Sequence, residues 1–112
     1  MDCLFCKIAK YEISAKIQYE DDDFIAFDDI NPKAKIHILV IPKKHIPSVA
    51  ALDDSDLALV GKLILKARDI AKEKGIDKTG YRLVFNSGTD AGAVVDHIHL
   101  HILGGIKLGP IA

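Results

Sequence analysis

The segment Asp96-His97-Ile98-His99-Leu100-His101-Ile102-Leu103 sets three imidazoles at every second position. Strict alternation of His with Ile and Leu has the period of a β-strand. One face would carry His97, His99 and His101, and the other Ile98, Leu100 and Ile102, turned to a core. Alternate strand residues lie roughly 6.7 Å apart, which puts His97 and His101 about 13 Å apart. A zinc–imidazole bond is only about 2.1 Å, so at most two of the three rings can hold one ion. At least one ring is left for other work, and imidazole is well suited near neutral pH to nucleophilic or acid–base chemistry. The plainer readings are a solvated histidine-bearing face or a simple chelate. They account less well for three rings in register beside Gly104-Gly105.

Cys3-Leu4-Phe5-Cys6 is the second chemical feature. A thioredoxin-like redox pair should follow a strand, and none precedes this one. A zinc half-site needs two further ligands, for which His45 and His97 are candidates. Two inert buried thiols are the third reading. His45, in the basic stretch Lys43-Lys44-His45, reads equally as a ligand or an ordinary loop residue. The two lysines read as solvated. Asp28-Asp29 follows a strand pattern and precedes Pro32, so it caps a turn or offers carboxylates to a ribose diol; local pattern favours the turn. Asp21-Asp22-Asp23 reads as a solvated turn rather than a cation site.

The elements that must position these groups follow from periodicity. Residues 3–9 fit a short helix with Phe5, Ile8 and Ala9 on one side and Asp2 as its N-cap. Residues 16–20 and 24–28 fit two strands joined by the aspartate turn. Residues 35–42 form a nearly continuous apolar run, the mark of a central strand buried on both faces. His37 within it reads as a satisfied core histidine. Residues 54–74 fit one long helix with an apolar stripe of Leu57, Val60, Ile64, Leu65, Ala67, Ile70 and Ala71, capped by Asp53 or Ser55 and stopped by Gly75. Residues 81–86 fit a fourth strand, and a Gly-bearing loop leads back into the His strand. That return brings Asn86 near the imidazoles. The sum is an α+β fold: a five-stranded, mostly antiparallel sheet with one long helix and a short N-terminal helix.

The 112 residues argue for a single domain spanning 1–112, with a net charge of −1. This balance gives no support for a nucleic acid or an anionic membrane as partner. No apolar run is long enough to span a bilayer, and Met1 to Lys7 lacks the apolar core of a secretory signal. Two cysteines without an export signal point to a reducing, cytoplasmic setting. The apolar tail from Ile106 to Ala112 would be better placed against a partner, which predicts a homodimer.

His97-Ile98-His99-Leu100-His101-Ile102-Leu103-Gly104-Gly105 resembles the histidine triad motif of the histidine triad nucleotide-binding proteins, in the purine nucleoside phosphoramidase branch. The likeness extends in order through Phe5-Cys6-Lys7-Ile8, Ala26 to Pro32, Val40 to Ile46 and Arg82 to Asn86. The resemblance implies a dimeric hydrolase that cleaves purine nucleoside 5′-phosphoramidates, or related esters and anhydrides, to the monophosphate. It makes His99 the nucleophile that becomes nucleotidylated. His101 would contact the phosphate or leaving group, His97 would support His99, and His37 would join the same relay. Asp29 would hold the ribose, Phe5, Ile13, Phe27 and Ile30 the base, and Asn86 and Gly92 the phosphate. Relatives with the Cys pair imply a structural zinc on Cys3, Cys6, His45 and His97, and no organic cofactor. Family members usually carry Gly-Gln-Ser-Val before the triad, whereas here it is Gly92-Ala93-Val94-Val95, with Asp96 in place of a common aromatic. Asp28 stands where many relatives have His. The missing side-chain donors at Ala93-Val94 motivate an alternative to the hydrolase, a nucleotide-binding module with little turnover; a separate alternative is a zinc hydrolase that uses His99 and His101 as ligands.

Overall fold

The computed structural model describes residues 3–111. Helix α1 spans Leu4–Ala9, and strands β1 (Ile17–Glu20), β2 (Phe24–Asp28) and β3 (Ile36–Pro42) follow. Helix α2 spans Leu57–Glu73, then come β4 (Tyr81–Val84) and β5 (Leu100–Gly104). The strands form one sheet in the order β1-β2-β3-β5-β4, with every neighbouring pair antiparallel.

β3 lies at the centre and is buried along nearly its whole length, as its apolar run, broken only by His37, requires. Alternation sends its residues to two separate cores. Ile38 and Val40 join Leu100 and Ile102 of β5 under Leu63, Ala67 and Ile70 of α2. Leu39 and Ile41 join Ile25, Phe27, Phe5 and Ile8 beneath α1. His37 shares the α1 face by the same period of two. Each large aliphatic side chain so buried contributes roughly 1.5–3 kcal/mol. The α2 face holds the sheet to its helix; the α1 face is covered only by a six-residue helix, which leaves room beside it for a cleft.

Several local expectations needed correction. Asp2 lies outside the described residues, and Cys3 occupies the N-cap of α1, its sulfur accepting from the Cys6 amide. The long helix opens with a 3₁₀ turn, Asp54–Asp56, so α2 itself starts at Leu57. Asp53 caps that turn reciprocally with Asp56. The inward stripe of α2 is Leu63, Ala67, Ile70 and Ala71, while Leu57, Ile64 and Leu65 are exposed, Leu57 at 81%. The apolar residues of this helix wrap most of its circumference, so periodicity alone could not select the buried register. Strand β4 stops at Val84, two residues earlier than expected, and β5 starts at Leu100, so His97 and His99 precede the ladder. Lys43 and Lys44 are ion-paired, to Glu20 at 2.8 Å and to Asp56 at 2.9 Å, and the Lys44 side chain stays solvated as expected, at 63% exposure.

Gly104 and Gly105 close β5 for two different reasons. A Cβ on Gly104 would stand 2.8 Å from Ile76 Cδ1, and Gly105 turns the chain at φ +83°.

Candidate active site

Leu100 and Ile102 are buried under α2 and Ile98 is buried as well, while His97, His99 and His101 turn to the α1 side of the sheet. The alternation expected of the segment therefore holds even where its first residues lie outside the ladder. A cleft of about 340 Å³ opens there. His99 and His101 line it, with Asn86 and Gly92. Phe5, Ile13 and Phe27 make an apolar wall, and Asp29 and Ile30 complete the rim. A larger cavity, about 550 Å³ between 79–82 and 105–108, is lined by no imidazole.

Hydrogen bonds fix the protonation of each ring. His99 Nδ1 lies 2.7 Å from the His97 carbonyl oxygen. A carbonyl only accepts, so Nδ1 carries the proton and Nε2 keeps its lone pair. The Lys33 amide donates to His37 Nδ1 at 3.0 Å, which leaves the His37 proton on Nε2. That proton points to His101 Nδ1 at 2.9 Å, so neutral His101 bears its own proton on Nε2. Burial pushes the His101 imidazole down to about 4, with nearby His99 and His37 acting in the same direction. Burial lowers His37 too, opposed by the Asp29 carboxylate. In their neutral tautomers these rings therefore offer a lone pair on His99 Nε2 and an uncharged donor on His101 Nε2.

His97 plays a different part. It is fully buried, at 0% exposure, and lines no part of the cleft. Its Nε2 donates to the Pro42 carbonyl at 2.8 Å, and its Nδ1 faces Cys3 Sγ at 3.3 Å and Cys6 Sγ at 3.4 Å. His45 Nδ1 lies 3.3 Å from Cys6 Sγ and 3.2 Å from His97 Nδ1. A tetrahedral zinc with bonds of about 2.3 Å to sulfur and 2.05 Å to nitrogen has edges of about 3.5 Å (S···N) and 3.3 Å (N···N). The donor set and its spacing fit that ion. His97 supports His99 through its main-chain oxygen, not through its ring as a relay would need.

Asp29, His37 and His101 also bring donor atoms within 4.8 Å of one another. Their hydrogen bonds oppose a second metal. With Lys33 donating to Nδ1, His37 could bind an ion through Nε2 only as an anion. Among the described residues His99 belongs to neither donor cluster, so a zinc ion held by His99 and His101 would have no third protein donor beside both rings.

Asp29 makes the turn contact expected of its position and also stands at the cleft. One oxygen accepts from the Asn31 amide at 2.8 Å, an Asx turn, while the residue lines the cleft. Asp28 accepts from Gln18 at 3.0 Å. Sequence reasoning missed Ser14 and Ala15, which enter the cleft from the link before β1, and no periodicity marks them. It also treated Ala93 and Val94 only as absences of Gln and Ser; Val94 lines the cleft with 93% of its surface exposed, and Val95 lines it beside Val94.

The family model described as "Scavenger mRNA decapping enzyme C-term binding" matches residues 2–108. An uncharacterized HIT-like protein of Synechocystis sp. is 50% identical over 104 residues, 93% of this chain and 90% of that protein. The purine nucleoside phosphoramidase of Escherichia coli K12 is 43% identical over 110 residues, 98% of this chain and 92% of the enzyme. Among solved structures, a histidine triad protein from Clostridium difficile superposes with a TM-score of 0.96 at 48% identity, covering 100% of this chain and 97% of that one. A HIT family hydrolase from Legionella pneumophila gives 0.95 at 45% identity, covering 96% of both. The chain belongs to the histidine triad family.

Proposed function

We propose that this protein, acting as one functional domain, hydrolyses purine nucleoside 5′-phosphoramidates, or related nucleotidyl esters and anhydrides, through a nucleotidyl-histidine. The observation that carries the reading is the 2.7 Å bond from His99 Nδ1 to the His97 carbonyl, which frees Nε2 of a cleft-lining ring for attack. His99 Nε2 bonds to the α-phosphorus as the phosphorus–nitrogen bond to the leaving amine breaks. The departing nitrogen takes its proton from water. The His101 Nε2–H, placed in the same cleft, donates a hydrogen bond to it or to a phosphoryl oxygen while keeping its own proton, because losing it would leave His101 anionic. Water then cleaves the phosphorus–His99 bond and releases the monophosphate. His37 acts as the holder of the His101 tautomer. Passing a proton onward through His37 would leave it anionic, because Lys33 already donates to its other nitrogen. Asp29 receives the ribose hydroxyls, Phe5, Ile13, Phe27 and Ile30 receive the base, and Asn86 and Gly92 flank the phosphate. The relative from Escherichia coli named for purine nucleoside phosphoramidase activity supports this assignment.

Cys3, Cys6, His45 and His97 would hold a zinc ion, which when bound supplies a rigid tetrahedral cross-link rather than a reactive water. Among the described residues, β4 is an open sheet edge and Leu57, Ile64 and Leu65 of α2 are exposed, which supports a homodimer. Among those residues no helix is long and apolar enough to cross a membrane. Both cysteines are free thiols, which fits a cytoplasmic setting.

Incubation with adenosine 5′-phosphoramidate should release AMP, and a labelled nucleotide trapped on the protein should map to His99. Release by His99→Ala at the parent rate refutes the assignment. The second reading, a binding module with little turnover, is favoured by Val94, whose side chain offers no hydroxyl. Loss of one charge-stabilising donor costs roughly 10²–10³ in rate. Among the described residues the Val94 and Val95 amides bond to no protein acceptor and remain available to a phosphate. AMP binding by calorimetry without product from any phosphoramidate would establish that reading instead.

A further inference from the structure

We propose that the Cys3–Cys6–His45–His97 centre is a redox-sensitive positioning device for His99, switched by disulfide formation between Cys3 and Cys6. The proposal rests on the reading of His99 as nucleophile, and two independent links tie the centre to that ring. The first is His97, which turns its Nδ1 to the two sulfurs while its own carbonyl oxygen fixes the His99 proton on Nδ1 at 2.7 Å. The second is Phe5, which stands between the two cysteines on α1. Its ring packs edge-on against His99 at 5.0 Å between centroids and 85°, and also against His97 at 6.2 Å. Phe5 further packs on Phe27 of the cleft wall, at 5.4 Å. Groups that hold α1 to His97 therefore hold both the hydrogen-bond acceptor of His99 and the wall against its ring.

The centre is open on its Cys3 side. A cavity of about 620 Å³, lined by Cys3, His45, Leu4, Pro47 and 94–96, opens beside the centre. It meets the cleft across Leu4, Val94 and Val95, which line both. The three-residue spacing at a helix start, with the four donor atoms within 4.8 Å, is within reach of a disulfide. A peroxide supplies the oxidant: the two sulfurs give up two electrons, one S–S bond forms, the O–O bond breaks and two waters leave, their protons coming from the thiols or, where zinc holds the sulfurs as thiolates, from solvent as the ion departs. With both sulfurs committed to each other, the centre keeps only His45 and His97 as donors. His97 is then no longer drawn toward α1, and both the acceptor of His99 and the Phe5 wall lose their anchor.

The test uses the full chain, zinc-loaded and labelled with nitrogen-15. Two-bond proton–nitrogen correlation reads the His99 tautomer directly, without substrate. In the reduced protein His99 should be a single Nδ1–H tautomer. After hydrogen peroxide has produced the Cys3–Cys6 disulfide, confirmed by mass spectrometry, it should become a mixture of tautomers while amide dispersion elsewhere is retained. Dithiothreitol with zinc should restore it. A disulfide-bonded, folded protein that keeps one His99 tautomer overturns the proposal. Failure of the pair to form a disulfide overturns it, as does loss of dispersion throughout, which would mark a merely structural centre. Linkage supplies a second reading on unoxidised protein. Coupling between sites is reciprocal, so saturating AMP should tighten zinc binding by about 5-fold or more in a chelator competition. An affinity for zinc unchanged by bound AMP counts against the device, whereas a protein that binds no AMP refutes the nucleotide-hydrolase reading and leaves the tautomer result to decide this one.

Discussion

Acid should destabilise this protein through His101, and the replacement His101→Asn should remove most of that sensitivity. His101 is held at about 4 in the fold by burial and by its imidazole neighbours, against about 6.5 in an unfolded chain. A group whose folded value is depressed in this way binds more protons when unfolded, so stability is lost as pH falls through the window from about 6.5 to 4. Between pH 7 and pH 4.5 this one ring should cost roughly 2–2.5 kcal/mol. Asparagine is the informative replacement because its Oδ1 can accept the His37 Nε2–H that His101 Nδ1 now accepts. His37 and His97 are lowered in the same direction, and both stay in the variant, so the difference between the two proteins isolates His101. Urea unfolding followed by circular dichroism at fixed protein concentration gives the free energies. With a slope of about 1–2 kcal/mol/M, the parent midpoint should fall by about 1–2 M more than the variant's between those pH values. Parallel titration of the two, within about 0.5 kcal/mol, would refute the burial of an uncharged His101 and the neutral donor built on it.

Four further outcomes follow from the same geometry. Asp29→Asn should weaken AMP binding about tenfold or more in calorimetry, since a charged acceptor of ribose hydroxyls becomes neutral; an unchanged affinity removes Asp29 from the ribose site. Val94→Ser should raise the single-turnover rate with adenosine phosphoramidate if a phosphate-side donor limits it, and an equal rate shows that the free Val94 and Val95 amides suffice. Chelation of zinc should lower the thermal midpoint of the parent and leave that of Cys3→Ser, which lacks one ligand, far less affected; equal shifts speak against a four-donor centre. Ile102→Ala, at a site with 0% exposure between β3 and α2, should cost about 2–5 kcal/mol in unfolding, and a loss below about 1 kcal/mol would mean that the sheet–helix core repacks around it.

Periodicity alone set much of this protein. The alternation of Ile98, Leu100 and Ile102 with three histidines fixes which side of the sheet carries the imidazoles. The apolar run from Ile36 to Ile41, broken only by His37, marks the central strand, and the five-stranded antiparallel sheet with its long helix follows from the order of such segments. These signals are local, because pleat and helical pitch are properties of a few consecutive residues. Tertiary structure decided what the histidines do relative to one another. His97 and His99 are two residues apart in the chain, yet one faces two sulfurs and the other faces the cleft, because Pro42 and α1 claim the first ring. The tautomers depend on the Lys33 amide and a main-chain carbonyl, groups that carry no side-chain signature. Leu57, Ile64 and Leu65 could not be told from Leu63 in sequence, since the face of α2 that is buried is chosen by the sheet it lands on. Charge pairing, hydrogen-bond direction and cavity shape arise between residues far apart in the chain, and they exist only once the backbone has brought those residues together.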